Sequence, residues 1–354
     1  MGIVEKFFNI YANDSEAVIV IDAVNRFYLS GYDSSFGVLL LTRQKTFFIT
    51  DSRYVLEARG SGYDGYEIVA KNGFSEAIEF VSSYIHDNNY MRVGYEGDTI
   101  LHSQYLALKS IGVKLVSVSS ELARMRAVKT EYEVAHIKIA VQIAERAYSN
   151  AIKRAKPGIT ERDLVIELEH QANVMGAEGV SFDTIVAFGE RTACPHAHPS
   201  LKRLEKGMPI LVDFGVKYNH YCSDMTRVAS IGEPSRQIRA IHSAVLNAQE
   251  YALSQIKAGL TGREADSFAR EYLHARGLGD NFTHSLGHGV GLEIHEYPTL
   301  SRTNDEELLP NMVVTCEPGA YVKNIGGVRI EDIIVVKENG IELLNTLGKD
   351  IIIL

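Results

Sequence analysis

The stretch LVDFGVKYNHYCSDMTR, residues 211–227, predicts a β-hairpin around which the rest of the chain is organised. Apolar residues lead in, residues 217–220 are turn-like, and a second strand returns. A turn centred on Tyr218-Asn219 places Asp213 opposite Asp224, with Cβ atoms roughly 5 Å apart. Carboxylates that close repel each other, so one is protonated or a cation lies between them. The alternative is a loose, solvent-facing hairpin, because Asp is common in turns.

Composition limits the class of protein. The chain has 354 residues, of which 45% are hydrophobic, enough for two domains with cores of their own. The formal charge is −9 with no Lys/Arg cluster, which predicts no nucleic-acid partner. No apolar run approaches the roughly 18 residues of a membrane span. Three cysteines without a CxxC pair argue against a disulfide framework, and the N-terminus lacks a secretion signal, so we expect a soluble, cytoplasmic protein.

The first third of the chain alternates strand-like and helix-like segments. SEAIEFVSSYIHD (75–87) has helical spacing of its apolar residues, and the other segments have the short, branched runs of sheet strands. The predicted strands are EAVIVIDA (16–23), GVLLLT (37–42) and KTFFIT (45–50). We therefore predict an α/β domain here, with no site chemistry visible in its composition.

A boundary near Ser119-Ser120 separates predicted domains 1–123 and 124–354. Thr130 and Glu133 form a capping box that opens a long helix, and Thr160 caps another that ends near Gly176. An internal repeat follows, because KPGITERD (156–163) resembles KAGLTGRE (257–264). Two similar halves suggest a pseudo-twofold sheet wrapped by helices, with carboxylates delivered to a shared centre.

Three more segments of the second half carry candidate site residues. THSLGHGVGLEIHEYP (283–298) holds His284, His288 and His295, at a spacing unlike a helical HExxH zinc site. VVTCEPGAY (313–321) ends an apolar strand with Glu317, and GGVRIEDIIVV (326–336) predicts one strand carrying Arg329 and Glu331. Taken singly, each histidine could be a core residue and each acid a surface charge. Jointly, apolar strands that each carry one acid indicate a buried cation.

The charges of this set balance with two metal ions. Asp213, Asp224, Glu317 and Glu331 carry four negative charges, which two divalent cations neutralise, and His288 adds one nitrogen ligand. Carboxylates that bridge two metals roughly 3.5 Å apart are typical of metal-assisted hydrolysis. Oxygen-rich ligation with one imidazole favours Mn, Co, Fe or Zn over a thiolate-type structural zinc.

With its local contexts, this ordered ligand set resembles the pita-bread metallopeptidase family, which includes methionine aminopeptidase, aminopeptidase P and prolidase. FYLSGYDSSFGVLLLTRQKTFFITDSRY (27–54) resembles the creatinase-type N-terminal domain. The resemblance covers essentially the whole chain. It implies a creatinase-type α/β N-terminal domain followed by a pseudo-twofold pita-bread α+β catalytic domain. Cys194 and Cys316 stand where relatives usually have aliphatic residues.

The resemblance also implies a role for each site residue. Asp213 would hold one metal, Asp224 and Glu331 would bridge both, and His288 with Glu317 would hold the other. Glu317 is also the expected proton acceptor. The remaining expected positions are His196 of ACPHAHP (193–199) beside the scissile bond, His295 at the tetrahedral intermediate, and the supporting residues His284, Tyr321 and Arg329.

We therefore expect a peptidase that removes an N-terminal residue preceding proline. The alternatives are a prolidase restricted to Xaa-Pro dipeptides, methionine aminopeptidase chemistry, and a catalytically silent binding module. The extra N-terminal domain disfavours methionine aminopeptidase, and the intact ligands disfavour a silent module. The resemblance further implies a homodimer or larger homo-oligomer, with the loop 32–36 reaching an active site.

Overall fold

The computed structural model of the protein describes residues 2–12, 14–60 and 65–354, and it divides into two compact units. The first unit is Met1–Arg126 and the second is Ala127–Leu354. The predicted boundary falls inside a helix, Ser119–Ala127, and the chain passes from the first unit to the second at the last residues of that helix.

The first unit is built on a mixed sheet. Its strands are β1 (Ala17–Val20), β2 (Val38–Thr42), β3 (Thr46–Thr50), β4 (Glu67–Ala70), β5 (Arg92–Tyr95) and β6 (Lys114–Ser117). They lie in the order β4-β3-β2-β1-β5-β6, with β1 antiparallel to β2 and parallel to β5. The helices are α1 (Ile3–Lys6), α2 (Ala23–Ser30), α3 (Val55–Gly60), α4 (Phe74–Asp87), α5 (His102–Lys109) and α6 (Ser119–Ala127).

Both faces of this sheet are buried. Along β1, Val18 and Val20 pack into one core cluster, whereas Ala17 and Ile19 pack into another on the opposite face. The predicted strands and the predicted helix are present, so the α/β prediction is confirmed. The first strand ends earlier than predicted because the side chain of Asp22 accepts a hydrogen bond from the backbone N–H of Asn25 and caps α2.

The second unit begins with the helices that the capping boxes predict. Thr130 caps α7 (Glu131–Ile152) and Thr160 caps α8 (Glu161–Val174), each through a side-chain hydrogen bond from the third helical residue. The remaining helices are α9 (Arg236–Gln255) and α10 (Gly262–His274). Thr261, in the repeat, caps α10 in the same way.

The strands of the second unit form sheets that belong to two halves. The strands are β7 (Gly179–Val180), β8 (Ile185–Phe188), β9 (Pro209–Asp213), β10 (Val216–Tyr218), β11 (Tyr221–Cys222), β12 (Thr226–Ser230), β13 (Gly287–Gly289), β14 (Glu296–Leu300), β15 (Val313–Cys316), β16 (Gly319–Val322), β17 (Gly326–Arg329), β18 (Asp332–Lys337), β19 (Gly340–Leu343) and β20 (Ile352–Ile353). The larger sheets have the orders β20-β12-β9-β8 and β14-β13-β15-β18-β19. Helices α7 and α8 share a core cluster with strands β8 and β9 of the first of these sheets. Helices α9 and α10 share another core cluster with strands β15 and β18 of the second sheet. Each half thus combines two helices with a sheet, the arrangement that the sequence repeat suggests.

The hairpin register differs from the prediction by two residues. Asp213 of β9 pairs with Thr226 of β12, not with Asp224. The turn is centred on Asn219-His220, both with positive φ of 48° and 68°, while residues 217 and 218 remain in a strand. Two consecutive residues with positive φ suit the twist of a hairpin. Because side chains alternate with a period of two, a two-residue shift leaves both aspartates on the same face as diagonal neighbours.

The predicted strand 326–336 is broken, which corrects the sequence prediction. Residues up to Arg329 pair with β16, and residues from Asp332 pair with β15. Between them, the backbone N–H of Glu331 donates to the carbonyl of Thr226 in the other half of the unit. The break therefore occurs where the chain changes hydrogen-bonding partners, and it presents Glu331 at the junction of the two halves.

Among the described residues, no helix is both long enough and apolar enough to cross a membrane.

Candidate metal centre

A cavity of about 490 Å³ in the second unit brings together nearly all the predicted site residues. Tyr321 is the exception, and it contacts the lining through His284 and Arg329. The predicted residues in the lining are His196, Asp213, Asp224, His284, His288, His295, Glu317, Arg329 and Glu331.

The five expected ligands lie at strand ends or interruptions. Asp213 ends β9, Asp224 lies between β11 and β12, His288 is in the short β13, Glu317 follows β15, and Glu331 lies in the break between β17 and β18. At such positions a side chain can leave the apolar core while its neighbours stay buried. Both halves of the unit therefore supply ligands to one space.

His288 presents one ring nitrogen to two carboxylates. Its Nδ1 lies 3.1 Å from the carbonyl oxygen of Gly289, which can only accept, so Nδ1 carries the proton of the neutral ring. Nε2 lies 3.3 Å from Glu317 Oε1 and 3.6 Å from Asp224 Oδ2. A lone pair aimed at two carboxylates is repulsive unless a proton or a cation lies between them.

The other acids are buried with too few partners for their charge. Oδ1 of Asp213 and Oδ1 of Asp224 are buried without a hydrogen bond. Burial and neighbouring carboxylates raise the pKa of Asp224 and of Glu331 well above the ordinary values. Burial also raises the pKa of Asp213, although Arg329 Nη2 donates to its Oδ2 at 2.6 Å. The metal-free site is thus short of positive charge.

Glu317 is the exception among these acids. Burial opposes its ionisation, but the hydrogen bond with His288 and the charges of His288, His284 and Arg329 together lower its pKa. Burial likewise opposes protonation of His288, yet Glu317 raises the pKa of that ring. The pair therefore favours an ionised Glu317.

The donor set fits divalent cations. Asp224, His288 and Glu331 each offer a ligand atom, and these atoms lie within 4.8 Å of one another. Asp213 and Glu317 lie outside that tight group but line the same cavity, and Asp213 keeps an unpaired carboxylate oxygen. Several carboxylate oxygens with one imidazole are ligands for Mn, Co, Fe or Zn, and added positive charge would relieve the repulsion among the acids.

The remaining predicted residues surround the ligands. The ring of His295 meets the ring of His288 edge to face at 4.3 Å and is exposed to the cavity. His284 Nε2 lies 2.9 Å from the hydroxyl of Tyr321, to which Arg329 Nη1 donates at 2.6 Å. His196 lies on the exposed rim. A continuous chain of hydrogen bonds therefore runs from His284 to Asp213.

Sequence reasoning missed the hydroxyl groups that orient the ligands. Thr226 Oγ1 donates to Glu331 at 2.6 Å, and Thr315 Oγ1 donates to Glu317 at 3.1 Å. Thr315 also accepts from the backbone N–H of His288 at 3.0 Å. Each threonine lies two residues from an expected ligand, so strand alternation places it on the same face. The spacing of two residues between each threonine and a predicted ligand is the sequence feature that could have identified these hydroxyl groups.

Two family descriptions match this chain. Residues 135–338 match "Metallopeptidase family M24", and residues 10–128 match "Creatinase/Prolidase N-terminal domain". The first match spans the cavity-forming unit, and the second spans the mixed-sheet unit.

Solved structures and curated relatives agree with these matches over nearly the full length. The X-Pro aminopeptidase from Thermotoga maritima is 40% identical, with a TM-score of 0.90 over 96% of this chain and 98% of that one. The Xaa-Pro dipeptidase from Bacillus anthracis is 39% identical, with a TM-score of 0.95 over 99% of each chain. The Xaa-Pro dipeptidase of Pyrococcus furiosus is 36% identical over 96% of each chain.

Proposed function

Because the chain belongs to metallopeptidase family M24, we propose that it is a metal-dependent aminopeptidase that releases the residue preceding a proline. The similarity to proteins named X-Pro aminopeptidase and Xaa-Pro dipeptidase supports proline at the second position of the substrate. The binding of two divalent metal ions is supported by the five ligands of the cavity and by their excess of negative charge.

The residues that would hold the ions in this proposal are Asp213, Asp224, His288, Glu317 and Glu331. The chemistry that divalent cations supply when bound is polarisation of the scissile carbonyl and a water of lowered pKa. Thr226 and Thr315 hold two of the carboxylates in orientation through their hydroxyl groups.

Other side chains of the cavity supply proton transfer and charge stabilisation. In this proposal Glu317 accepts the proton of the attacking water, because its carboxylate lines the cavity beside His288 and is oriented by the hydroxyl of Thr315. In this proposal His295 donates an N–H to the oxyanion, because its ring is exposed to the cavity and lies against the ring of His288 at 4.3 Å. His196 orients the peptide on the leaving-group side.

The walls of the cavity suit an apolar, ring-shaped residue. Phe182, Ile185 and Ile294 line the cavity together with Pro195 and Pro199. Apolar side chains can pack against a pyrrolidine ring without leaving a polar group unpaired. This lining supports the preference for proline.

The proposed preference for peptides longer than a dipeptide rests on one observation, the hydrogen bonds that occupy Arg329. Among the described residues that line the cavity, Arg329 is the only lysine or arginine. Its Nη2 donates to Asp213, while Nη1 donates to Tyr321 and, at 3.3 Å, to the carbonyl of Pro195. A dipeptide would bring its C-terminal carboxylate beside the proline without a free guanidinium or ammonium to receive it. A longer peptide presents a neutral amide there, so we assign an aminopeptidase.

The second candidate is a dipeptidase restricted to Xaa-Pro. It is favoured by the names of the Bacillus anthracis and Pyrococcus furiosus proteins, which resemble this chain over nearly their whole length. It requires the carboxylate of the dipeptide to bind a histidine of the rim, such as His196 or His198.

Three substrates that differ only beyond the proline separate the two candidates. The purified protein is assayed with Mn(II) and then Co(II) on Xaa-Pro, on its amide Xaa-Pro-NH2 and on Xaa-Pro-Yaa-Zaa. The amide is the matched control, since it has the length of the dipeptide without the carboxylate. We expect the amide and the longer peptide to exceed the dipeptide in kcat/KM by about tenfold or more, equivalent to ~1.4 kcal/mol. A dipeptide cleaved faster than both would favour the dipeptidase.

A further inference from the structure

Glu161, the first residue of α8, is a fully buried carboxylate outside the cavity lining. It nevertheless accepts several hydrogen bonds from one distant segment. Oε1 accepts from the backbone N–H of Phe188 at 2.9 Å and from Arg191 Nε at 3.0 Å. Oε2 accepts from the backbone N–H of Ser200 at 2.7 Å and from its hydroxyl at 2.6 Å.

These partners lie at the two ends of residues 189–199, which we call the His196 loop. Phe188 immediately precedes the loop and Ser200 immediately follows it. Arg191, itself bound to Glu161, donates from Nη2 to the carbonyl of His198 at 2.8 Å within the loop. Residues 195–199 of the loop form one wall of the cavity. The carboxylate of Glu161 therefore binds the residues at both ends of the His196 loop directly. Through Arg191, it is also linked to the carbonyl of His198 inside the loop.

Only a carboxylate can satisfy this arrangement. The backbone N–H groups of Phe188 and Ser200 donate to different oxygens of Glu161, so both oxygens must accept a hydrogen bond. A glutamine has one acceptor oxygen, and its NH2 group would face a buried backbone donor at one end of the loop. The guanidinium of Arg191 would also lose its ion pair with Glu161. Substitution by glutamine thus changes few atoms, but the backbone N–H at one end of the loop loses its hydrogen-bond acceptor.

Other contacts of the loop do not replace this function. Gly327 donates its backbone N–H to Thr192 Oγ1 at 2.8 Å, and Arg329 reaches the carbonyl of Pro195. Both contacts hold the part of the loop before His196. After His196, Arg162 donates from Nε to the carbonyl of Pro199 at 3.4 Å and from its backbone N–H to the carbonyl of Ser200 at 3.3 Å, both longer than the bonds of Ser200 to Glu161. On the far side of His196, the Ser200 side chain and backbone N–H bind Glu161.

We propose that Glu161 is a positioning residue that holds His196 at the cavity through the two ends of its loop, an inference that rests on the proposed function. Glu161 lies outside the cavity lining, and its side chain binds Phe188, Arg191 and Ser200, none of which is a proposed metal ligand. Its effect on the reaction passes entirely through the position of the loop.

Glu145 of α7 supplies a matched control. Its carboxylate is buried and also accepts from a distant loop, namely the backbone N–H and hydroxyl of Thr346 and the backbone N–H of Leu347. That loop is not part of the cavity lining. Glu145→Gln therefore imposes the same kind of loss at a place that does not present a site residue.

The test compares Glu161→Gln, Ser200→Ala and Glu145→Gln on Xaa-Pro-Yaa-Zaa, with bound metal and thermal unfolding measured for each. We expect Glu161→Gln to lower kcat/KM by about tenfold to a hundredfold with metal content unchanged, since small misplacements of a positioning group are costly. Ser200→Ala, which removes one hydroxyl, should lower it less. Glu145→Gln should leave kcat/KM within twofold, even if its unfolding temperature falls. Equal losses in both glutamine variants would overturn the proposal.

A double-mutant cycle separates positioning from general damage. In a His196→Ala background, Glu161→Gln should lower kcat/KM by less than twofold, because the side chain through which it acts is already absent. Losses that multiply would overturn the proposal.

Hydrogen exchange tests the loop without any substrate. At least one of the backbone amides of Phe188 and Ser200 should exchange at least tenfold faster in Glu161→Gln than in wild type, because the glutamine keeps a single acceptor oxygen. Unchanged exchange of both amides would overturn the proposal. A wild-type protein that cleaves no proline peptide would contradict the proposed function alone, because the exchange result does not depend on catalysis.

Discussion

The carboxylates of the cavity repel one another in the metal-free protein. Asp224 and Glu331 have raised pKa values because they are buried beside other acids, and Asp213 and Asp224 each keep an unpaired oxygen. Buried charge that no partner neutralises costs stability, and proteins retain it where it serves binding or catalysis. At this scale, the site is a compromise between the stability of the metal-free fold and the affinity for cations.

The Asp224→Asn variant tests this compromise. The raised pKa means that the metal-free fold binds more protons than the unfolded chain, so its stability falls as pH rises through the ordinary Asp pKa towards the raised folded value. Above that window, chelated Asp224→Asn protein should melt at a higher temperature than chelated wild type. It should also lose activity and bound Mn(II), because a neutral amide ligates poorly. Thermal scans with chelator and metal analysis measure both effects, and equal metal content and turnover in the two proteins would contradict the metal-site proposal.

His295→Ala tests the oxyanion role. The change should lower kcat by roughly 10²-fold, as for the loss of one oxyanion donor, while metal content stays constant. Steady-state kinetics and metal analysis provide the readout. His170→Ala, at an exposed histidine of α8 outside the cavity lining, is the control and should change neither. Metal lost in step with activity would make His295 a ligand or structural residue instead.

Several site residues could be predicted from sequence because their types are rare in apolar strands. Glu317 and Glu331 interrupt apolar runs, and His288 lies among glycines, so each was noticeable in its own context. The contacts of Arg329 with Asp213, and of Glu161 with Ser200, could not be predicted, since they join residues far apart in the chain. Single-sequence patterns carry no information on such pairings.

At the scale of elements, capping chemistry gave the most reliable predictions. Thr130 and Thr160 cap helices as expected, because a capping box is satisfied within four residues of chain. The hairpin register was wrong because Asn219 and His220 adopt positive φ without a glycine to signal it. The break at Glu331 was missed because its N–H bonds to Thr226, in the opposite half of the unit.

Gly327 tests how closely the elements around the cavity must pack. A Cβ on Gly327 of β17 would collide with the backbone carbonyl of Thr192 and lie 2.6 Å from the ring of Tyr321. Gly327→Ala should therefore destabilise the protein by about 1–3 kcal/mol and lower activity, because it separates the β16–β17 hairpin from the His196 loop.

Gly348→Ala is the matched control, since a Cβ there meets no atom within 4 Å. Its free energy of unfolding should change by no more than about 0.5 kcal/mol. Denaturant unfolding and the peptide assay measure both variants. A Gly327→Ala protein as stable and active as the control would show that this packing is not required.

At the scale of the whole molecule, the two units have separate core clusters. None of the proposed ligands or site histidines lies in residues 1–123, and the described residues that line the cavity all belong to the second unit. We therefore propose that the N-terminal domain shapes specificity and assembly, while the second unit performs the chemistry.

The segment 124–354 tests this division. It should still bind Mn(II), because it contains every proposed ligand, but it should lose the preference among proline peptides that the full chain shows. The full chain should have the solution mass of a dimer or a larger assembly. Light scattering and a substrate profile of both proteins check these outcomes. A monomeric full chain whose shortened form keeps the same profile would contradict the proposal.

In the proposed function, divalent metal held by the cavity drives removal of the residue before proline. The most direct test strips the protein with a chelator and titrates Mn(II) back while the released N-terminal residue is measured from Xaa-Pro-Yaa-Zaa. Activity should vanish on chelation and return in full at two equivalents of Mn(II) per chain, with the free N-terminal residue as the first product. A rate that survives removal of the metal, or a first product other than that residue, would contradict the account.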